Sequence, residues 1–481
     1  MYCVPSPPRA PLPTPALFET SHPVLLFDYF RVPYRRTPVT ANDELAWLRP
    51  DGGNGRAIYW ITAPEPANPG FHRYDGITVY GSVAGEAQVR ALLARLGGDW
   101  QGAAPILDAA GEQVAAVWRD DAGRILLPFD PEELITAMWS EAYAGPSGRR
   151  SAVMEAYYRL RPLLPRRVQL ALRRAYSRRQ ARRLFPRWPL ETALHDLYDR
   201  LLGLCAEVAG RPVPFIAPWP GGRRWALVLT HDVETDVGYR NLHLLRDIEE
   251  AAGYRSSWNM VPMRYRVEAD VVHDLVARGF EVGVHGLYHD GRDLASPELL
   301  AERLPAMREH AERWGAVGFR SPATHRTWEL MPLLGFDYDS SYPDTDPFEP
   351  QSGGCCTWLP YFNQNMVELP ITLPQDHTLF AILRRRDEQA WVQKASAIRE
   401  RGGMALLITH PDYLLEQHLR DVYGRFLHAF RDDASVWLPL PREVSAWWRR
   451  RADSKIVSGP GGWRVEGPAA ADATVELVAP G

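Results

Sequence analysis

From Trp225 onward, short apolar runs alternate with amphipathic stretches at helical spacing. The apolar runs are Trp225–Thr230, Ser256–Val261, Glu281–Val284, Val317–Phe319, Phe336–Asp339, Val367–Leu369, Met404–Thr409 and Ser435–Leu438. Each is short and bounded by Gly, Pro or charged residues, which predicts buried strands. The stretches between them, Leu242–Ala252, Ala269–Arg278, Pro297–Arg313, Trp328–Leu334, Asp387–Arg401 and His418–Arg431, predict helices. A series of strand–helix units of this length predicts a parallel sheet covered by helices, closed or nearly closed into a (β/α) barrel. In such a barrel, polar residues at the C-terminal ends of the strands converge on one mouth. The fold class expected is therefore α/β.

The first half of the chain is patterned differently. Residues 1–20 are interrupted by Pro throughout and read as a lead-in. Val24–Phe30, Ala57–Ile61 and Ile77–Gly81 read as strands and Val89–Leu96 as a helix, so residues 21–130 are expected to form a small α/β module. Residues 131–219 turn helical, opening behind Pro131 and closing with the amphipathic stretch Leu190–Val208 before Gly210. The barrel is expected over 220–450. Two β-rich runs, 461–466 and 473–478, predict a hairpin or small appended strands within a tail over 451–481.

Composition changes this picture little. With 481 residues, 46% hydrophobic and 24% charged, the chain has the make-up of a globular protein. A formal net charge of −4 argues against nucleic acid as a partner. That average conceals Arg161–Arg187, which holds ten arginines and no acid. Val168–Tyr176 within it alternates an oily and a basic face, which fits either a solvated helix or contact with an anionic membrane or glycan. No run reaches the length of a signal-peptide core or a membrane span, and the four cysteines are too irregular for a disulfide framework. A cytoplasmic location is expected, with Cys355 and Cys356 as small apolar residues rather than a redox switch.

Candidate chemistry clusters where the barrel rule puts it. Thr230-His231-Asp232-Val233-Glu234 follows the first apolar run and brings two carboxylates to a strand end. His285-Gly286-Leu287-Tyr288-His289 follows another. The H-x3-H spacing predicts two imidazoles on one side of a helical turn, able to bind one divalent metal. With a carboxylate from the first strand end they make a two-histidine, one-carboxylate set that leaves coordination positions open, as catalysis requires. Arg320, in Phe319-Arg320-Ser321-Pro322, and His410, in Ile408-Thr409-His410-Pro411, stand at two further strand ends. Each is ordinary alone, and recurrence at four strand ends lifts them above background.

In order and content, these motifs over residues 225–440 resemble the polysaccharide deacetylase family, also called the NodB-homology or carbohydrate esterase family 4 group. The resemblance implies a distorted (β/α) barrel of the NodB-homology type and a divalent metal, commonly zinc. It implies a hydrolase that removes acetyl groups from sugars of a polysaccharide or its precursor. By the same resemblance His285 and His289 are metal ligands, Asp232 is the general base, Arg320 tunes that base and His410 is the general acid. The family's second acid usually follows the first directly. Here Val233 stands in that position, so the ligand role goes to Glu234, as in members that space the acids by one residue. If Glu234 pointed away, Asp232 would be the ligand instead.

The motif after the arginine ends Pro322-Ala323 where the family commonly has Pro-Tyr. Pro322, Tyr288 and Trp358 are the candidate substrate contacts. The Gly/Pro/aromatic stretch Pro343–Phe362, which contains Trp358, is expected to overhang the mouth and to set substrate choice. Two other readings stay open: an amidohydrolase acting on a small cyclic amide or ureide, and a glycan-binding relative without catalysis.

Overall fold

The computed structural model describes residues 15–37, 44–53, 55–145, 174, 180, 184–459 and 462–480. Most of Arg161–Arg187, with its expected anionic partner, lies outside the described residues. The chain forms two compact units, each discontinuous in sequence: Met1–Leu134 with Asp196–Ala217 and Ser454–Gly481, and Ile135–His195 with Pro218–Asp453.

The first unit is organised by nine strands: β1 (Phe18–Thr20), β2 (Tyr34–Arg36), β3 (Leu45–Pro50), β4 (Ile58–Ile61), β5 (Gly70–Tyr74), β6 (Ile77–Gly81), β7 (Trp100–Asp108), β8 (Gln113–Asp120) and β9 (Ile125–Leu127). They lie in the order β2-β1-β3-β4-β9-β8-β7-β5-β6 and are antiparallel except for the β1–β2 and β4–β9 pairs. Val89 and Leu92 of the helix Glu86–Leu96 share a buried cluster with Leu45, Tyr59, Ile61 and Leu126. One predicted strand is a helix: Val24–Phe30 coils over Leu25–Phe30. Its apolar run is too short for periodicity to decide, and the Glu132 carboxylate accepts the Leu25 N–H at 2.8 Å. That contact satisfies an orphan amide of the first turn from 107 residues away. At the C-terminus, Lys455–Gly459 pairs with Gly462–Glu466 as a hairpin, while Val475–Val478 pairs with β10 (Val213–Ile216).

The second unit carries β11 (Trp225–Val233), β12 (Ser257–Met260), β13 (Glu281–Val284), β14 (Gly318–Phe319), β15 (Tyr338–Asp339), β16 (Tyr361–Asn363), β17 (Met366–Glu368), β18 (Met404–Thr409) and β19 (Val436–Trp437). Their order is β16-β17-β15-β14-β13-β12-β11-β18, with β19 also on β11. Every pair is parallel except β16–β17. Helices connect most successive strands, and β11 is buried at all nine positions, as a strand covered on both faces must be. The segment after β17 also reaches β18 at the far end of this path. Thr372 and Leu373 N–H donate to Leu406 O at 3.2 and 3.0 Å, and the Thr372 hydroxyl accepts the Leu406 N–H at 2.7 Å.

Pro343–Phe362 is packed into the second unit rather than exposed to solvent. All but four of its residues are buried. Asp344 accepts hydrogen bonds from Lys394 Nζ at 2.8 Å and from Trp358 Nε1 at 3.1 Å, Tyr143 and Gly354 are hydrogen-bonded, and Trp139 stacks on Tyr361 at 5.0 Å. Irregular backbone can be buried here because side chains from Ile135–His195 satisfy its polar groups. Cys355 and Cys356 are both buried and free, in keeping with their reading as small apolar residues.

Candidate active site

The C-terminal ends of β11, β12, β13 and β18 and the turn after β14 bring the candidate residues together. Asp232 lies within β11 and is 3% exposed. Its Oδ1 accepts a hydrogen bond from Asn259 Nδ2 at 2.8 Å and stands 3.6 Å from the Arg320 guanidinium. Burial alone would raise its pKa, but Arg320, His285 and His410 outweigh that and hold the carboxyl below its ordinary value. Arg320 is itself buried and donates to the hydroxyls of Thr230 and Ser340 at 3.2 and 2.9 Å.

Glu234, His285 and His289 each offer one ligand atom, and these atoms lie within 4.8 Å of one another. Glu234 therefore points inward: its Oε1 is 3.3 Å from His289 Nε2, and its Oε2 accepts the Tyr413 hydroxyl at 2.8 Å. The His285 Nδ1 lies 3.1 Å from Arg320 O. A proton on Nδ1 directed at that carbonyl leaves the Nε2 lone pair free, the arrangement metal-binding imidazoles use. Burial drives the His285 pKa down to about 4, so the ring is neutral. The Nε2 of His289 is buried without a hydrogen-bond partner. A nitrogen that faces a carboxylate and the neutral His285 ring fits a divalent cation. The histidines reach this geometry without the helical turn their spacing suggests. The segment is a bend in which Gly286 and His289 take left-handed φ values of 62° and 57°. A side chain at Gly286 would collide with Asp293 and Pro322.

His410 Nδ1 is 2.6 Å from Asp376 Oδ1, and its backbone N–H donates to Asp376 Oδ2 at 2.8 Å. Burial opposes a charged ring here, yet Asp376, helped by Glu234 and Asp232, pushes the pKa up to about 10. The other ring nitrogen stands 3.9 Å from Glu234 Oε1, on the side of the metal-competent carboxylate rather than of Asp376.

The candidate substrate contacts divide. Tyr288 is 45% exposed beside the histidines, with the Arg303 guanidinium 5.0 Å from its ring. Pro322 is buried close against Gly286 and supports the histidine bend from below. Trp358 is 0% exposed and stacks on His195 at 4.3 Å, so no face of it can meet a ligand. Sequence reading missed Asn259, Asp376 and Tyr413. Asn259 stands on β12, where the strand-end rule would have found it. Asp376 stands at no strand end, and only the fold carries it to His410.

Neither a protein-family model nor a curated protein matches the sequence. Solved structures do. The chain is similar to a putative polysaccharide deacetylase from Mycobacterium smegmatis, at 19% identity over 48% of this chain and 93% of that one, with a TM-score of 0.40. It is similar to a probable polysaccharide deacetylase from Pseudomonas aeruginosa PAO1 at 18% identity over 50% of this chain and 96% of that one, TM-score 0.40. It is similar to Puue allantoinase at 17% identity over 48% of this chain and 92% of that one, TM-score 0.40.

Proposed function

We propose that the second unit is a distorted (β/α) barrel acting as a metal-dependent hydrolase that removes acetyl groups from an N-acetylated sugar of a polysaccharide or its precursor. The observation that carries this reading is the Glu234–His285–His289 set lying beside two separately paired acid–base groups, Asp232 with Arg320 and His410 with Asp376. A divalent cation bound by Glu234, His285 and His289, with zinc the expected one, supplies Lewis acidity to an acyl carbonyl and to water. Asp232, kept ionised by Arg320, takes the proton of the attacking water. Asn259 holds that carboxylate in one orientation. His410, kept protonated by Asp376, gives its Nε2 proton to the departing amine. Environments that push one group's pKa down and the other's up are the pattern of a base and an acid working as a pair. Tyr288, steadied by Arg303, offers an aromatic face to a sugar ring.

Acetate release from N-acetylglucosamine oligomers tests the reading. No acetate, with turnover of a cyclic imide, would replace it by the amidohydrolase alternative, which the same donor set supports. Purified protein is expected to hold about one divalent ion per chain, the stoichiometry of a single two-histidine, one-carboxylate site. His285→Ala or His289→Ala should abolish that binding, measured by elemental analysis of the dialysed protein. Metal-free protein with an intact fold would favour a glycan-binding role.

Gly283 gives a subtler test, because a Cβ there would collide with the Asn259 side chain. Gly283→Ala should displace Asn259 from Asp232. The loss of one hydrogen bond to a charged group predicts roughly a tenfold or greater fall in kcat. Metal content should not change.

A further inference from the structure

We propose that Asp412, Tyr413 and Tyr265 are positioning residues that make Glu234 a metal ligand and present it through one oxygen, Oε1. The inference rests on the metal reading of the Glu234–His285–His289 set and deepens it. None of the three lies in the motifs that singled out the site.

Glu234 needs holding because it is the first residue past β11. Strand pairing fixes side-chain directions up to Val233, whereas a glutamate beyond the strand end keeps a mobile backbone and a long side chain with rotamer freedom of its own. Here the peptide between Val233 and Glu234 is gripped at both of its polar atoms. Its carbonyl accepts the Tyr265 hydroxyl at 2.6 Å, and its N–H donates to Asp412 Oδ2 at 3.0 Å. Tyr265 is fixed in turn, because its oxygen accepts the Val261 N–H at 3.1 Å. Asp412 Oδ1 accepts the Gly238 N–H at 3.2 Å and also the Thr235 hydroxyl. The carboxylate lies so close to the backbone at Gly238 that a Cβ there would collide with it. Asp412 thus spends both oxygens on the turn of chain that begins at Glu234.

The side chain is held separately. Tyr413 donates its hydroxyl to Glu234 Oε2 at 2.8 Å, while Oε1 lies 3.3 Å from His289 Nε2. A carboxylate with one oxygen engaged by a phenol offers a cation the other one. That leaves coordination positions open for water and substrate, as a catalytic site needs. Tyr413 is placed by the turn that carries His410. Its N–H donates to His410 O at 3.0 Å, and the two rings meet edge to face with centroids 5.0 Å apart. The segment after β18 therefore supplies both the acid and the grip on the metal-competent carboxylate.

Zinc affinity of the full chain, measured by competition with a chromogenic chelator, tests the proposal without any substrate. Tyr413→Phe removes only the hydroxyl and should weaken zinc binding about 10- to 100-fold, the range for losing a hydrogen bond to a ligating group. Asp412→Ala should weaken it comparably. Asp412→Asn should fall between Asp412→Ala and the wild type, because an amide oxygen still accepts the Glu234 N–H. Cobalt(II) supplies a signature that general destabilisation does not. Released from Tyr413, Glu234 is free to bind through both oxygens. The d–d absorption of cobalt-loaded Tyr413→Phe should then shift and lose intensity as the coordination number rises. Unchanged zinc affinity or an unchanged cobalt spectrum in Tyr413→Phe overturns the inference. Wild-type protein that binds no zinc overturns it together with the metal reading. Tight zinc binding with these losses but no acetate release supports the inference and overturns the deacetylase reading alone.

Discussion

Asp232→Asn protein is expected to keep its fold and its bound divalent ion while releasing acetate about 10²- to 10⁴-fold more slowly, the range for loss of a positioned general base. The substitution is nearly isosteric, and the metal-competent atoms belong to Glu234, His285 and His289 rather than to Asp232. Asn cannot take a proton from water, and it leaves the buried Arg320 guanidinium without its carboxylate. The measurement is kcat together with metal content on the same preparation. Loss of metal in Asp232→Asn would make Asp232 a ligand and send the search for the base elsewhere. Unchanged kcat would remove it from the chemistry altogether.

The second large effect concerns stability. Arg326 and Glu141 are 2% and 6% exposed and form a bidentate pair at 2.6 and 2.9 Å. Glu141→Ala should cost about 3–5 kcal/mol, because removing one partner strands a buried cation rather than merely deleting an attraction. The Arg326 guanidinium also donates to Thr324 O and Gln351 O at 2.9 and 3.1 Å. Its misplacement would therefore disturb the turn after β14 that carries Arg320. Equilibrium unfolding in urea reads the difference, and a loss below about 1 kcal/mol would mean the pair is solvated in solution. Replacing both residues by apolar ones of similar volume should recover much of the loss, since the pair's own net contribution is small.

The parallel strands of the second unit were legible because they are buried on both faces. Glu281–Val284 and Met404–Thr409 fall where the apolar runs predict them, and the helices between strands agree within a residue or two at most ends. Val24–Phe30 was not legible, because a run of aromatic and aliphatic residues fits a strand or a helix until its neighbours are known. Its helix depends on Glu132, which no local window contains. Pro343–Phe362 misled for a related reason. Gly, Pro and polar residues signal an exposed loop only when water must satisfy the backbone, and here Tyr143 and His195 do so instead.

For the site, residue type and strand-end position were enough to identify Asp232, Glu234, His285, His289, Arg320 and His410 as a group. Parallel strands deliver their C-terminal ends to one side of a sheet, so chemistry-bearing residues at those ends must meet. The contacts that orient and charge each residue within the group were beyond the sequence. That Glu234 turns toward the histidines, that Asn259 and Arg320 hold Asp232, and that Asp376 keeps His410 charged are consequences of side-chain directions and burial. The same holds for Trp358, an aromatic the sequence offers to substrate and packing encloses. Local sequence determines which strand ends carry reactive groups; only tertiary contacts decide their partners, because pKa and orientation depend on distances between residues far apart in the chain.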